Sequence, residues 1–187
     1  NPEYACAALK AASKAGADVI CLCDTNGGTL PRKVGEVTSA VCAMFPDTRI
    51  GIHCHNDSGC AVACSVEAAQ SGACHIQGTF IGYGERCGNA DLSAVIPNLQ
   101  LKAGYGCVNG RLERLAETAK KIAGISNVAL PRNLPYVGES AFAHKGGMHI
   151  DGVAKLPRSF EHVNPDEVGN KRRFLMSEVS GRTTVIA

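Results

Sequence analysis

Three short runs of strand type start near residues 18, 48 and 74, and a helical stretch follows each of them. The intervals are about 30 and 26 residues, the size of one parallel βα unit, so the pattern demands a parallel sheet with helices packed beside it. A helix over 1–15 comes first, with Ala5, Ala8, Leu9, Ala12 and Ala15 at helical spacing, Asn1 as cap and Gly16 as stop. The first strand, Asp18 to Cys23, runs into the loop Asp24-Thr25-Asn26-Gly27-Gly28-Thr29-Leu30-Pro31, whose proline opens a helix expected to reach Phe45. The second ends in His53-Cys54-His55-Asn56-Asp57, with Asp57 or Ser58 expected to cap a helix ending at Gly72. The third, Cys74 to Ile81, leads into Gly82-Tyr83-Gly84-Glu85-Arg86-Cys87-Gly88-Asn89, and the helix expected from Ala90 is interrupted at Pro97.

Asp24, Thr25, His53, His55, Glu85 and Asn89 then all lie at C-terminal strand ends, the side of parallel α/β sheets where active sites form. Side chains alternate along a strand, which puts Gly51, His53 and His55 on one face and Ile50, Ile52 and Cys54 on the other. Two residues of strand span about 6.6 Å, near enough for both imidazoles to meet one ion. His53 and His55 are therefore candidate metal ligands. The glycine-rich loop is no dinucleotide fingerprint, because its third glycine comes one residue late and no acidic strand end follows at the expected distance. It reads as a tight loop that brings backbone close to a ligand and aims Glu85 and Asn89 into the site.

After about residue 104 the βα rhythm stops, which divides the chain into 1–104, part of a barrel, and 105–187, a linker and appended subdomain. Arg111 to Ala123 is amphipathic, with Leu112, Leu115, Ala119 and Ile122 on its apolar side. From Asn127 the chain is loop-rich, Arg173 to Met176 reads as a late strand, and His149 by itself reads as an exposed histidine in a glycine-rich loop. Lys171-Arg172-Arg173 reads as a solvated charged face. Three βα units cannot close an eight-stranded barrel of about 250 residues, so the expectation is the middle or later part of a longer protein.

A net charge of +2 with 19% charged residues argues against nucleic-acid or membrane partners, and no apolar run approaches the ~18 residues of a membrane span. Asn1-Pro2-Glu3 reads as the start of a helix and not as a signal peptide. Ten cysteines without a Cys-x-x-Cys pair read as reduced core thiols, and hence as an intracellular, cytoplasmic protein.

Four motifs occur in one order: the Asp24–Gly28 loop, Gly51-Ile52-His53-Cys54-His55-Asn56-Asp57, Gly82–Ala90, and Ala143-His144-Lys145-Gly146-Gly147-Met148-His149. Together they resemble the 2-isopropylmalate, homocitrate and citramalate synthase family over nearly the whole chain. Leu22–Pro31 and Gly84–Asn89 resemble its citramalate synthase branch most. The resemblance implies α/β architecture: the last three βα units of a TIM (β/α)8 barrel plus a small α+β subdomain. It implies an acyltransferase that condenses acetyl-CoA with a 2-oxo acid, pyruvate in that branch, on the way to branched-chain amino acids. A divalent ion (Mn²⁺, Mg²⁺, Co²⁺ or Zn²⁺) would polarise the keto group.

By the same resemblance His53, His55 and Asn89 are metal residues, Thr25 binds the substrate carboxylate, Glu85 lies by the substrate, and His149 is catalytic, often reaching across a homodimer. Two departures stand out. The family's first-strand Arg-Asp pair has no counterpart and is expected before Asn1, and the tyrosine five residues before Pro165 is Phe160 here. The open alternatives are a 2-isopropylmalate or homocitrate synthase, a related barrel lyase or aldolase cleaving a C–C bond, and an inactive metal-binding copy.

Overall fold

A computed structural model describes residues 1–176, and the contacts divide the chain into two compact units, Asn1–Val95 and Ile96–Ala187. The first unit holds strands β1 (Val19–Asp24), β2 (Arg49–Cys54) and β3 (His75–Gln77), parallel and in the order β1-β2-β3. Helices α1 (Pro2–Lys14), α2 (Pro31–Met44) and α3 (Ala61–Gln70) alternate with them, and α4 (Leu92–Pro97) follows. Asn1 caps α1 by accepting from the Tyr4 amide, 3.2 Å away.

The even-numbered residues of β2, Ile50, Ile52 and Cys54, are buried, and Ile50 packs with Ile20, Val41 and Phe45, while Leu9, Leu22 and Cys42 cover this cluster. Each fully buried Ile or Phe side chain contributes roughly 1.5–3 kcal/mol, so this face fixes the register of the sheet. In that register Cys23, His53 and Gln77 form one row across the three strands, and Cys21, Gly51 and His75 the row below. The histidine face is thereby set by the packing of the opposite one.

Three local expectations need correction. β3 covers three residues instead of eight, because Ile81 takes a left-handed φ of 67° and donates its amide to Asp91 Oδ1, starting a 3-10 turn at Phe80–Gly82. Neither Asp57 nor Ser58 caps α3; its N-cap is Cys60, and Asn56 Oδ1 accepts from the Ala61 amide at 3.1 Å. As expected, the α-helix ends at Pro97, where the chain widens into a π turn, Asn98–Lys102. Of the ten free cysteines only Cys54 and Cys64 are buried, whereas Cys23, Cys74, Cys87 and Cys107 are exposed, so most are not core thiols. A small side chain is tolerated at an exposed strand or loop position as readily as in a core, and spacing does not separate the two.

In the second unit a 3-10 turn (Leu112–Arg114) leads into α5 (Leu115–Ile125). It buries Leu112, Leu115, Ala116, Ala119 and Ala123, a stripe turned slightly from the expected one, with Ile122 half-buried. Two-residue strands β4 (Ala143–His144) and β5 (Arg173–Phe174) pair in parallel. The glycine-rich segment carrying His149 is not a loop but the first turn of α6 (Gly147–Lys155), which forms because Ile150 and Val153 are buried. Nor is Lys171-Arg172-Arg173 simply a solvated face. Arg172 Nε and Nη2 grip the buried Glu161 carboxylate at 2.8 and 2.5 Å, and His144 Nε2 lies 3.0 Å from Glu161 Oε1.

This pair gives a stability prediction. The hydrogen bonds from Arg172, then those from His144, hold the Glu161 carboxyl below the usual carboxylate range. Its stabilisation is therefore complete above an unfolded value of about 4.3 and fades as pH falls through the lower folded one. Glu161→Gln is expected to cost about 2–4 kcal/mol at pH 7, because it leaves Arg172 without its charge partner, and to flatten the acid limb of the stability curve. Urea unfolding of the full-length protein between pH 3 and 7 measures both, and unchanged stability with an unchanged acid limb would refute the assignment.

Candidate active site at the strand ends

The rim is built by three loops that follow β1, β2 and β3, and backbone hydrogen bonds stitch them in sequence. The carbonyl of Asp24 accepts from the amides of Gly27 and His55, both at 3.2 Å, and Asn56 donates to Gly88 at 2.9 Å. Ala90 donates to the Cys54 carbonyl at 2.9 Å, and a lone bridge pairs His55 with Asn89. The first loop is organised by its own carboxylate: Asp24 accepts from the Thr29 amide at 3.1 Å and from its hydroxyl at 2.9 Å. Asp24 is therefore spent on holding the loop.

His53 and His55 lie together, their rings 5.2 Å apart and edge to face. His53 Nδ1, His55 Nδ1 and Asn89 Oδ1 are all buried without a hydrogen-bond partner. An unpaired buried polar atom costs about 1–3 kcal/mol, so three at one rim mark a place that a ligand satisfies. Asn89 is held by its other end, Nδ2 donating to the Tyr83 carbonyl at 2.7 Å, which leaves Oδ1 available as an acceptor. Two imidazoles and an amide oxygen suit a divalent ion of borderline or hard character. Among the described residues no group of three or more His, Cys, Asp or Glu side chains gathers as a metal site, so any full coordination set needs further ligands.

Thr25 is exposed and lines a cleft of about 630 Å³ with Cys23, Asp24, Asn26, Thr29 and Arg86. Glu85 is exposed, in the loop between Gly84 and Gly88. The histidines, Asn89, Thr25 and Glu85 thus all belong to the rim of the first unit. Thiolate chemistry is disfavoured at the buried cysteines, since burial pushes Cys54 to about 12 and Cys64 to about 11.

In the second unit His149 is exposed on α6 and stacks on Phe160, with centroids 4.4 Å apart and planes at 28°. Gly152 makes room for that ring, because a Cβ there would collide with Phe160 Cε2. Sequence reasoning missed Asp57 and Arg86. Arg86 Nε and Nη2 donate to the two Asp57 oxygens at 2.8 and 2.9 Å, and Nη2 also donates to the Thr25 carbonyl at 2.7 Å. Only the pairing of an acidic residue after one strand with a basic one after the next could have hinted at this.

The family model described as HMGL-like matches residues 1–122, and that described as homocitrate synthase post-HMGL domain-like matches 136–187. An (R)-citramalate synthase of Aquifex aeolicus is 52% identical over the whole chain, which spans 35% of that protein. A probable 2-isopropylmalate synthase of Methanosarcina mazei is 38% identical over 99% of the chain and 36% of its own length. The chain thus spans about a third of these relatives. Among solved structures, an HMG-CoA lyase of Bacillus subtilis superposes with a TM-score of 0.57 at 32% identity, over 67% of this chain and 44% of that one. The parallel βα units are therefore part of a TIM barrel, and the chain belongs to the HMGL-like family, on the side of its citramalate and 2-isopropylmalate synthases.

Proposed function

We propose that the whole protein is an acyltransferase that joins the methyl carbon of acetyl-CoA to the keto carbon of a 2-oxo acid, water then cleaving the thioester to release CoA, with pyruvate as substrate and citramalate as product. The observation that carries this reading is the trio of unsatisfied atoms on His53, His55 and Asn89, supported by the identity to citramalate synthases over the full chain. His53, His55 and Asn89 would hold the divalent ion, which when bound polarises the keto carbonyl. Thr25, at the edge of the cleft, would bond the substrate carboxylate, and Glu85 would lie by the substrate. His149 would move the proton, with Phe160 supplying a face for its ring in place of the family tyrosine. Residues 1–104 would serve as the barrel part and 105–187 as the appended subdomain of a cytoplasmic homodimer; among the described residues no helix is long and apolar enough to cross a membrane.

The experiment is a panel of 2-oxo acids given to the full-length protein with acetyl-CoA and Mn²⁺, read as thiol release. Pyruvate should give the highest kcat/KM; preference for 3-methyl-2-oxobutanoate or 2-oxoglutarate would instead assign the 2-isopropylmalate or homocitrate reaction. Phe160→Tyr keeps the stacked ring and adds a hydroxyl, and should change kcat less than threefold. A rise of tenfold or more would show that proton transfer here lacks the hydroxyl.

A further inference from the structure

The Arg86–Asp57 pair joins parts of the chain that have no covalent reason to stay in register. Arg86 lies in the loop after β3, Asp57 in the loop after β2 and Thr25 in the loop after β1, and one guanidinium touches all three. The pairing is the fork-on-carboxylate type, which fixes direction as well as distance. The surrounding backbone is built for it. Gly27 has a φ of +67°, and a Cβ there would press on Asp57 Oδ2 at 2.5 Å. Arg86 itself holds a φ of 55°, a conformation a non-glycine residue keeps when its surroundings demand it. The Ser58 hydroxyl and amide both donate to the Gly27 carbonyl, at 2.7 and 3.0 Å, securing the same two loops beside the pair.

Two bland roles fit less well. An ion pair with 46% and 26% of its side chains exposed adds little to folding stability, so the fold does not require it. As a receptor for a substrate anion, Arg86 would be a weak choice, since Asp57 already neutralises it. What the geometry does accomplish is positional: Thr25 and the segment leading to Asn89 are tied to each other through a single planar group. Misplacement of a substrate-holding group by about 1 Å costs on the order of a hundredfold in rate.

We propose that Arg86 and Asp57 are a positioning pair, a three-loop clamp that sets the spacing between the Thr25 edge of the cleft and the His55–Asn89 edge of the rim. The inference rests on the reading of that rim as a metal and 2-oxo acid site.

The test uses the full-length protein with Arg86→Lys, Arg86→Gln, Asp57→Asn and the charge-reversed double variant Arg86→Asp/Asp57→Arg. Three quantities are measured: melting temperature, Mn²⁺ affinity by titration, and KM for pyruvate and for acetyl-CoA separately from kcat. Arg86→Lys keeps the charge but loses the fork. It and Asp57→Asn should each raise the pyruvate KM by about tenfold and weaken Mn²⁺ binding several-fold. The acetyl-CoA KM should change less than twofold and the melting temperature by less than about 2 °C. The double reversal should recover at least a third of the lost kcat/KM. Lowered melting temperature with unchanged pyruvate KM and Mn²⁺ affinity would make the pair merely structural and overturn the proposal. So would a raised pyruvate KM in Arg86→Gln alone with Asp57→Asn like the parent, the pattern of a direct anion contact. If the parent protein turns over no 2-oxo acid, the proposed reaction fails, and the Mn²⁺ affinities of the variants still decide whether the clamp exists.

Discussion

Replacing His53 by alanine in the full-length protein is expected to remove bound metal and lower kcat/KM by at least about a thousandfold, equivalent to about 4 kcal/mol of transition-state stabilisation. His53 is half-buried, in a row between the exposed Cys23 and Gln77, beside the His55 ring, with Nδ1 unpaired. A side chain that satisfies none of its own buried hydrogen-bonding capacity contributes little to folding, so the same substitution should cost less than about 1 kcal/mol of stability. Loss of function without loss of fold is the signature of a ligand. Metal analysis of the purified variant beside its thermal unfolding separates the outcomes: a variant that keeps both metal and turnover would remove His53 from the site, and one that unfolds would make the imidazole structural.

Gly88→Ala is expected to be the most damaging change in the third loop. Gly88 has a φ of +90°, and a Cβ there would overlap the Gly82 carbonyl oxygen. That carbonyl is bound by the Asn89 amide at 3.1 Å, and the Gly88 carbonyl receives the Asn56 amide, so neither side of the turn is free to give way. The loop has to move, and Asn89 with it. The cost should be on the order of 3 kcal/mol, combining about 1 kcal/mol of left-handed strain with the displaced contacts. Gly59→Ala is the control, since Gly59 has a φ of +72° but open space around a new Cβ. It should cost about 1 kcal/mol and leave Mn²⁺ affinity unchanged. Denaturant unfolding and Mn²⁺ titration of the two variants test this together; equal effects would mean that backbone strain alone, and not the close approach to Gly82, requires the glycine.

The βα repeat and the histidine face were legible because both follow from periods. A strand buried on one face must alternate, and Ile50, Ile52 and Cys54 left His53 no other side. The short reach of β3 was not legible, because the residues that end it act through a hydrogen bond from Ile81 to Asp91, ten positions away. The Arg86 links to Asp57 and Thr25 span 29 and 61 residues, and no local pattern encodes such contacts. In the second unit β4 and β5 are two residues each, too short to show a period. Glycine has poor helix propensity, which hid α6; burial of Ile150 and Val153 overrides it. The expected strand over Arg173–Met176 is confined to Arg173 and Phe174.

The likeness to an HMG-CoA lyase makes the direction of the proposed reaction, carbon–carbon bond formation or cleavage, the decisive question. The full-length protein, stripped of metal and then given Mn²⁺, should be followed by NMR in both directions. One sample holds pyruvate and acetyl-CoA; the others hold 3-hydroxy-3-methylglutaryl-CoA or a 4-hydroxy-2-oxo acid. Citramalate and free CoA should appear in equal amounts in the first, only after Mn²⁺ is restored, with no cleavage in the others. Cleavage without synthesis, or synthesis that persists when metal is removed, would refute the proposed function.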